Sequence, residues 1–382
     1  MILSKCMKNK ILFVINEFSF FKSHRYNLIL ELSKFYKIEI ITDLKKNLSD
    51  SIEISSNYDI RFINLNKRES SLNPLKFLIF LVKLRRKINI SDSDFIFFVS
   101  LENCLIGSLI SKSINPKKIF LLVTGIGNFI ESREIKRKFI RKFHALCYRY
   151  LLSKNHLFIF QNKDDQSDLT NYFALTQSKI IEGNGVDSKK FMYKERFNQI
   201  NKREIKFLFA SSLQYEKGVI EYVKAAMEIA EKGYKCIFSI AGRYAQEDSL
   251  SITNQEYNFI SNHPKLNYLG EIDHFKMPKI LFDHDIFVLP SYREGLPSAA
   301  IEAAATGMPL ILSDVPGCNS LIVSPMNGFL VKSRNSQSLS KAMIKILSNK
   351  WDLKNLGMNS RKMVEEKFLI EVISEKYLDL LH

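Results

Sequence analysis

Leu289-Pro290-Ser291-Tyr292-Arg293-Glu294-Gly295-Leu296-Pro297-Ser298 joins two segments of different character. Before it, 285–289 is a short apolar run, the pattern of a buried strand. After it, 298–306 is alanine-rich and reads as a helix. Ser298 is the expected N-cap, and Pro297 keeps the loop from entering the helix early. Backbone N–H groups at such a helix start attract a phosphate or diphosphate. Gly295 lets the backbone come close to a ligand. Glu294 and Glu302 flank this start, eight residues apart, where two carboxylates can accept hydrogen bonds from the vicinal hydroxyls of a sugar. Taken alone, the spacing also fits a surface charge and a carboxylate complementing the helix dipole.

Outward from this stretch the same unit recurs. Short apolar runs at 205–210, 235–240, 266–269 and 309–312 alternate with helical segments at 217–231, 337–347 and 366–381. The first half repeats the pattern, with strand candidates at 11–15, 37–42, 60–65, 94–99, 118–123 and 157–160. Its helix candidates lie at 24–35, 74–88, 103–113, 134–152 and 164–173. Strands apolar on both faces, alternating with helices, define an α/β fold of two doubly wound parallel sheets. Gly183-Asn184-Gly185-Val186-Asp187 and the polar stretch after it mark the break between them. The expected domains are therefore 8–186, 187–365 and a C-terminal helix, 366–382, returning to the first domain. Ligands of such a tandem bind at the carboxyl ends of the strands, in a cleft between the domains.

Composition narrows the function. The chain has 382 residues, 46% hydrophobic and 25% charged, which is globular and excludes a disordered or collagen-like protein. Lys+Arg outnumber Asp+Glu by 56 to 40, a net charge of +16, so an anionic partner is expected. No recognition helix, zinc finger or RNA-binding sheet signature is present, so nucleic acid is not that partner. Five scattered cysteines form no Cys-x-x-Cys pair, and the histidines form no metal-ligand cluster; neither disulfides nor zinc are expected. Two D-x-D triplets, Asp92-Ser93-Asp94 and Asp283-His284-Asp285, precede strands rather than follow them, so no metal is assigned. No apolar run reaches the length that spans a bilayer.

The residues 285–297, Glu302-Ala303, Gly307-Met308-Pro309, Asp314, Gly317 and Asn327-Gly328 resemble the retaining GT-B glycosyltransferases of family four. The resemblance implies that Glu294 holds donor-sugar hydroxyls, Glu302 the ribose, and the backbone of Gly295, Leu296, Pro297 and Ser298 the sugar and phosphates. Ser212-Leu213-Gln214-Tyr215-Glu216-Lys217-Gly218 is similar to a second family segment, in which Lys217 neutralises the departing diphosphate. The family usually has an Arg where this chain has Ser212. Arg243, Arg293 or a cation of the first domain is the expected substitute.

In the first half, Phe20-Phe21-Lys22-Ser23-His24-Arg25 stands where many members have a glycine-rich loop. It resembles the variant found in transferases that build bacterial surface polysaccharides. His24 and Arg25 are expected to face phosphate or acceptor, with His24 among the catalytic candidates. Thr124-Gly125-Ile126-Gly127-Asn128 follows a strand and allows close backbone approach, so Thr124, Gly125, Gly127 and Asn128 join the acceptor side. Residues 131–154 hold eight Lys/Arg, among them Arg133, Lys136, Arg137, Lys138, Arg141, Lys142, Arg149 and Lys154. Ile135, Phe139, Phe143, Cys147 and Tyr150 recur there at helical spacing. Such a helix either packs its apolar stripe on the sheet or lies on an anionic leaflet. A second basic, apolar segment spans 74–87.

Together these readings define a retaining hexosyltransferase. It would move a sugar from a UDP-sugar to a lipid-linked, undecaprenyl-diphosphate-borne saccharide in O-antigen or capsule-type synthesis, at the inner face of the cytoplasmic membrane. It would need no cofactor. The alternatives are a soluble or lipopolysaccharide-core acceptor, or a sugar-nucleotide epimerase.

Overall fold

The computed structural model describes residues 9–44, 47–65, 74–127, 129, 135–152, 155–196, 204–248, 250–348 and 351–382. The chain divides into two compact units, one of residues 1–185 with 373–382, the other of 186–372.

In the first unit, the described residues form seven strands. They are β1 (Lys10–Glu17), β2 (Lys37–Asp43), β3 (Ile60–Asn64), β4 (Phe95–Val99), β5 (Lys118–Val123), β6 (His156–Phe160) and β7 (Ser178–Ile180). The sheet order is β3-β2-β1-β4-β5-β6-β7, and every pair is parallel. Parallel pairing demands crossovers, and the helices between the strands provide them, covering both faces. Phe13 of β1 lies opposite Phe97 of β4, and Phe97 opposite Phe120 of β5. Their rings stack at 4.8 and 4.3 Å between centroids. Tyr377, from the helix Ile370–Leu381, closes this ladder 6.0 Å from Phe97. Each aromatic ring so buried stabilises the unit by roughly 1.5–3 kcal/mol.

The second unit carries β8 (Ile205–Ala210), β9 (Cys236–Ala241), β10 (Leu266–Gly270), β11 (Ile286–Leu289), β12 (Leu310–Ser313) and β13 (Gly328–Val331). Their order, β10-β9-β8-β11-β12-β13, is again parallel throughout. β11 is buried along its whole length, which is why it reads as an unbroken apolar run. In each sheet the strand order reverses at one place, between β1 and β4 and between β8 and β11. Those reversals leave open crevices at the strands' carboxyl ends, where α/β sheets take ligands.

Some boundaries differ from the sequence expectation. β1 runs on to Glu17, a three-residue helical turn follows, and Phe21–Arg25 forms a π-helical turn before the helix Tyr26–Ser33. The C-terminal region is two helices, Leu353–Lys367 and Ile370–Leu381, because the chain breaks at Phe368-Leu369, where Val186 pairs with Leu369. The strands β7 and β13 and the helices Leu48–Asn57, Asn254–Asn262 and Met277–Phe282 were not expected. Each is short, and short elements carry too few periodic positions to stand out.

Candidate active site

At the reversal in the second sheet, two loops meet. The loop after β8 carries a short turn, Tyr215–Lys217, and Gly218 in the left-handed region at φ 75°. A Cβ at Gly218 would lie 2.1 Å from the Pro290 carbonyl oxygen, so only glycine lets the two loops close. The Tyr292 N–H donates to the Glu216 carbonyl at 2.8 Å and fixes their register. Gly317, at φ 78°, braces the other side; its Cβ would stand 2.4 Å from the Glu294 carbonyl oxygen.

This clamp brings Lys217 to Glu294. The Lys217 ammonium donates to both carboxylate oxygens, at 2.8 and 2.9 Å, and the Ser291 hydroxyl donates to Oε1 at 2.8 Å. The Glu294 side chain is 12% exposed and that of Lys217 27%, so the pair is sheltered yet reachable. An ammonium and a carboxylate held this close offer adjacent partners for an anion and for a hydroxyl. Burial pushes the Cys318 thiol well above its ordinary range, with Glu294 adding to the effect, so this neighbour is not a nucleophile at neutral pH.

Pro297, extended at φ −75° and ψ 103°, is the N-cap of the helix Ser298–Ala305; Ser298 is its first residue. The expected serine cap is therefore corrected: the helix begins one residue earlier, and no N-cap side chain closes its start. Gly295 is half-buried, and Leu296 and Pro297 are buried between the loop and the helix. Glu302 sits further along this helix, 13% exposed, with its Oε1 2.9 Å from His274 Nε2. His274 Nδ1 is in turn 3.1 Å from the Lys190 ammonium. Neither His274 nor Lys190 was expected here; their partners lie 28 and 84 residues away in the chain, and no local pattern links them.

Ser212 donates to Gln214 Oε1 at 2.9 Å, and Gln214 to Asp248 at 2.6 Å. The Arg243 carbonyl accepts from Leu213 N–H at 2.9 Å, which sets the exposed Arg243 side chain beside the Ser212 loop. The Tyr292 hydroxyl donates to Glu221 at 2.9 Å and its ring lies 4.5 Å from the Arg334 guanidinium; burial, then Glu221, pushes the Tyr292 phenol up to about 12.

In the first unit, His24 is exposed within the π turn. Its ring stacks on Phe20 at 4.7 Å, and its Nδ1 is 2.6 Å from the Ser23 hydroxyl. Arg25 is corrected: it is fully buried and donates to the Tyr377 hydroxyl at 3.5 Å. The π turn rotates it away from solvent, so it is not a ligand-facing residue. Thr124 and Gly125 follow β5 half-buried, and Gly127, at φ 48°, is exposed. Asn128 lies outside the described residues. At the reversal itself, Ser100 adopts φ 96°, a conformation that side chains rarely take, and Asn16 donates to Glu102 at 3.2 Å. Asp94 and Asp285 accept from the backbone N–H of Lys10 and Lys206, so both tie strand starts together. Among the described residues there is no cluster of three or more metal-ligating side chains.

The helix Ile135–Leu151 turns its aromatic stripe outward. Phe139 is 69% exposed and Phe143, Leu146 and Tyr150 are also exposed, while Arg141, His144, Cys147 and Tyr148 face the sheet. Arg141 donates to the Phe129 carbonyl at 2.8 Å and is no surface cation. Arg133 and Lys154, and the side chains of Lys136 and Arg137, lie outside the described residues. The helix Pro74–Ser91 likewise exposes Leu75, Leu78, Ile79 and Val82. Both helices pack on one core cluster of the first sheet, through Leu84 and Ile88 on one and Tyr148 on the other.

Residues 193–363, almost all of the second unit, match the family described as Glycosyl transferases group 1. The chain is 29% identical to the Campylobacter jejuni N,N'-diacetylbacillosaminyl-diphospho-undecaprenol alpha-1,3-N-acetylgalactosaminyltransferase. That match covers 81% of this chain and 82% of the relative. It is 25% identical to the Escherichia coli UDP-Gal:alpha-D-GlcNAc-diphosphoundecaprenol alpha-1,3-galactosyltransferase, over 82% and 81% of the two chains. Its fold matches HepE of Anabaena, solved in complex with UDP and glucose, with a TM-score of 0.76 at 15% identity, covering 98% and 99% of the two chains. With two parallel doubly wound units, the fold class is GT-B. The second unit thus matches a glycosyltransferase family model, and the chain as a whole is similar to glycosyltransferases of this fold.

Proposed function

We propose that the protein is a retaining transferase that takes a hexose from a UDP-sugar and adds it to a saccharide borne on undecaprenyl diphosphate. The observation that carries this reading is the Lys217–Glu294 pair at the reversal of the second sheet. Glu294 takes donor-sugar hydroxyls, Glu302 the ribose, and Lys217 with the start of the helix Ser298–Ala305 the two phosphates. Arg243, beside Ser212, supplies a second cation. In the transfer, the bond between the anomeric carbon and the phosphate oxygen breaks and the acceptor oxygen bonds to the same face. The acceptor proton passes to the leaving diphosphate. The protein's part is to orient both substrates and stabilise charge on the diphosphate. The acceptor belongs to the first unit, where His24, Thr124, Gly125 and Gly127 offer polar and close-approach positions.

Support for the acceptor class comes from the two relatives, whose names specify diphospho-undecaprenol sugars. Among the described residues no helix is long and apolar enough to cross a membrane. The exposed aromatic stripe of the helix Ile135–Leu151, flanked by Lys138, Lys142 and Arg149, fits an anionic lipid surface instead. On this reading the enzyme works peripherally at the inner face of the cytoplasmic membrane. A transfer assay with UDP-sugars and a synthetic polyprenyl-diphosphate saccharide tests the reading. Lys217→Ala and Glu294→Ala are each expected to lower turnover by about 100-fold or more with folding intact. Wild-type turnover in both would remove the assignment.

A further inference from the structure

Three side chains from separate parts of the second unit form one line: Glu302, His274 and Lys190. Glu302 comes from the helix Ser298–Ala305, and His274 from the loop after β10. Lys190 comes from a turn in which Asp187 Oδ1 accepts the backbone N–H of Lys189 and Lys190, at 2.9 and 3.3 Å. The Lys190 ammonium is held between aromatic faces, 4.7 Å from the Phe275 centroid and 5.5 Å from that of Phe191. An ammonium has donors only, so at 3.1 Å it makes His274 Nδ1 an acceptor. The single hydrogen of the neutral imidazole then lies on Nε2, which donates to Glu302 Oε1 at 2.9 Å. Among the described residues no hydrogen bond reaches Glu302 Oε2.

We infer that His274 is a positioning residue for the nucleotide's ribose: it holds one oxygen of Glu302, aims the other at a ribose hydroxyl, and has its tautomer fixed by Lys190. The inference rests on the reading that Glu302 takes the ribose. A free glutamate side chain loses several rotors on binding a diol, and one fixed beforehand does not. With the tautomer reversed, an imidazole lone pair would face a carboxylate that is 13% exposed, and Glu302 would turn away.

Calorimetric titration with UDP and with 2′-deoxy-UDP tests this, with melting temperature in the absence of nucleotide as the folding control. The wild type is expected to prefer UDP by more than tenfold. His274→Leu is expected to weaken UDP binding about tenfold, leave 2′-deoxy-UDP nearly unchanged, and so collapse the preference. His274→Gln carries an amide N–H near the position of Nε2 and should restore most of it; His274→Asn, whose amide falls near Nδ1, should not. Lys190→Met should give a partial loss. A preference kept at the wild-type level in His274→Leu and Lys190→Met, but lost in Glu302→Ala, overturns the inference and leaves the ribose reading standing. A preference kept in Glu302→Ala overturns the reading itself, and the inference with it.

Discussion

Gly317 shows how much a single position constrains the site. It sits at φ 78° with the Glu294 and Gly295 carbonyl oxygens 2.4 and 2.6 Å from where a Cβ would be. Gly317→Ala therefore adds backbone strain and pushes the loop that holds Glu294. Chemical denaturation should show a loss of about 2 kcal/mol or more, and titration with UDP a matching fall in affinity. Lys217 and Glu294 were legible because the motif around each is dense, and the structure joins them directly. His274 was invisible because its meaning comes from Glu302 and Lys190, which tertiary folding alone brings near. The sequence led to the wrong expectation at Arg25 for the same reason: the hydroxyl it bonds lies 352 residues further on.

At the scale of elements, helical spacing identified the stripe Phe139, Phe143 and Tyr150 but not the direction it faces. Periodicity defines a face and says nothing about what covers it. The buried face of that helix instead carries His144, 4% exposed, between Phe129, Tyr148 and Phe173. Burial lowers the His144 pKa to about 4. The neutral imidazole is thus the form that the fold favours, while the unfolded chain binds a proton below its ordinary value near 6.5. Stability is then fully present above pH 6.5 and is lost as pH falls toward 4, by about 2 kcal/mol at pH 5. Urea melts at pH 7 and pH 5 should show this loss, and His144→Phe should remove most of it. The outward face makes a separate prediction. Phe139→Ser with Phe143→Ser, and Lys138→Gln with Lys142→Gln, should each weaken flotation with anionic vesicles several-fold while leaving the melting temperature within a degree or two. Wild-type flotation in both pairs would take this helix out of the membrane reading.

For the whole molecule, the two sheets and their parallel character were legible because strands buried on both faces read as uninterrupted apolar runs, as in Phe95–Val99 and Ile286–Leu289. The strand order was not, since it depends on crossovers that no local signal encodes. Nor was the place where the chain passes back to the first unit, at residue 373 and within a continuous helix. Tyr377 packs there on the Phe13–Phe97–Phe120 ladder and meets Arg25. Tyr377→Ala should cost the first unit about 3–5 kcal/mol by opening a cavity. Differential scanning calorimetry should then split into two transitions, with the second unit melting as before.

That return also sets an order of events during synthesis. The first sheet leaves the ribosome before the second unit, but the residues that finish its core, 373–382, follow that unit. Translation at roughly 5–20 residues per second leaves the nascent first unit incomplete for roughly 10–40 s while the second is made. Through that interval an aromatic ladder and a buried-to-be guanidinium stand open, so nascent-chain holding factors have a defined stretch to guard, and slowing elongation after residue 185 would lengthen the exposure.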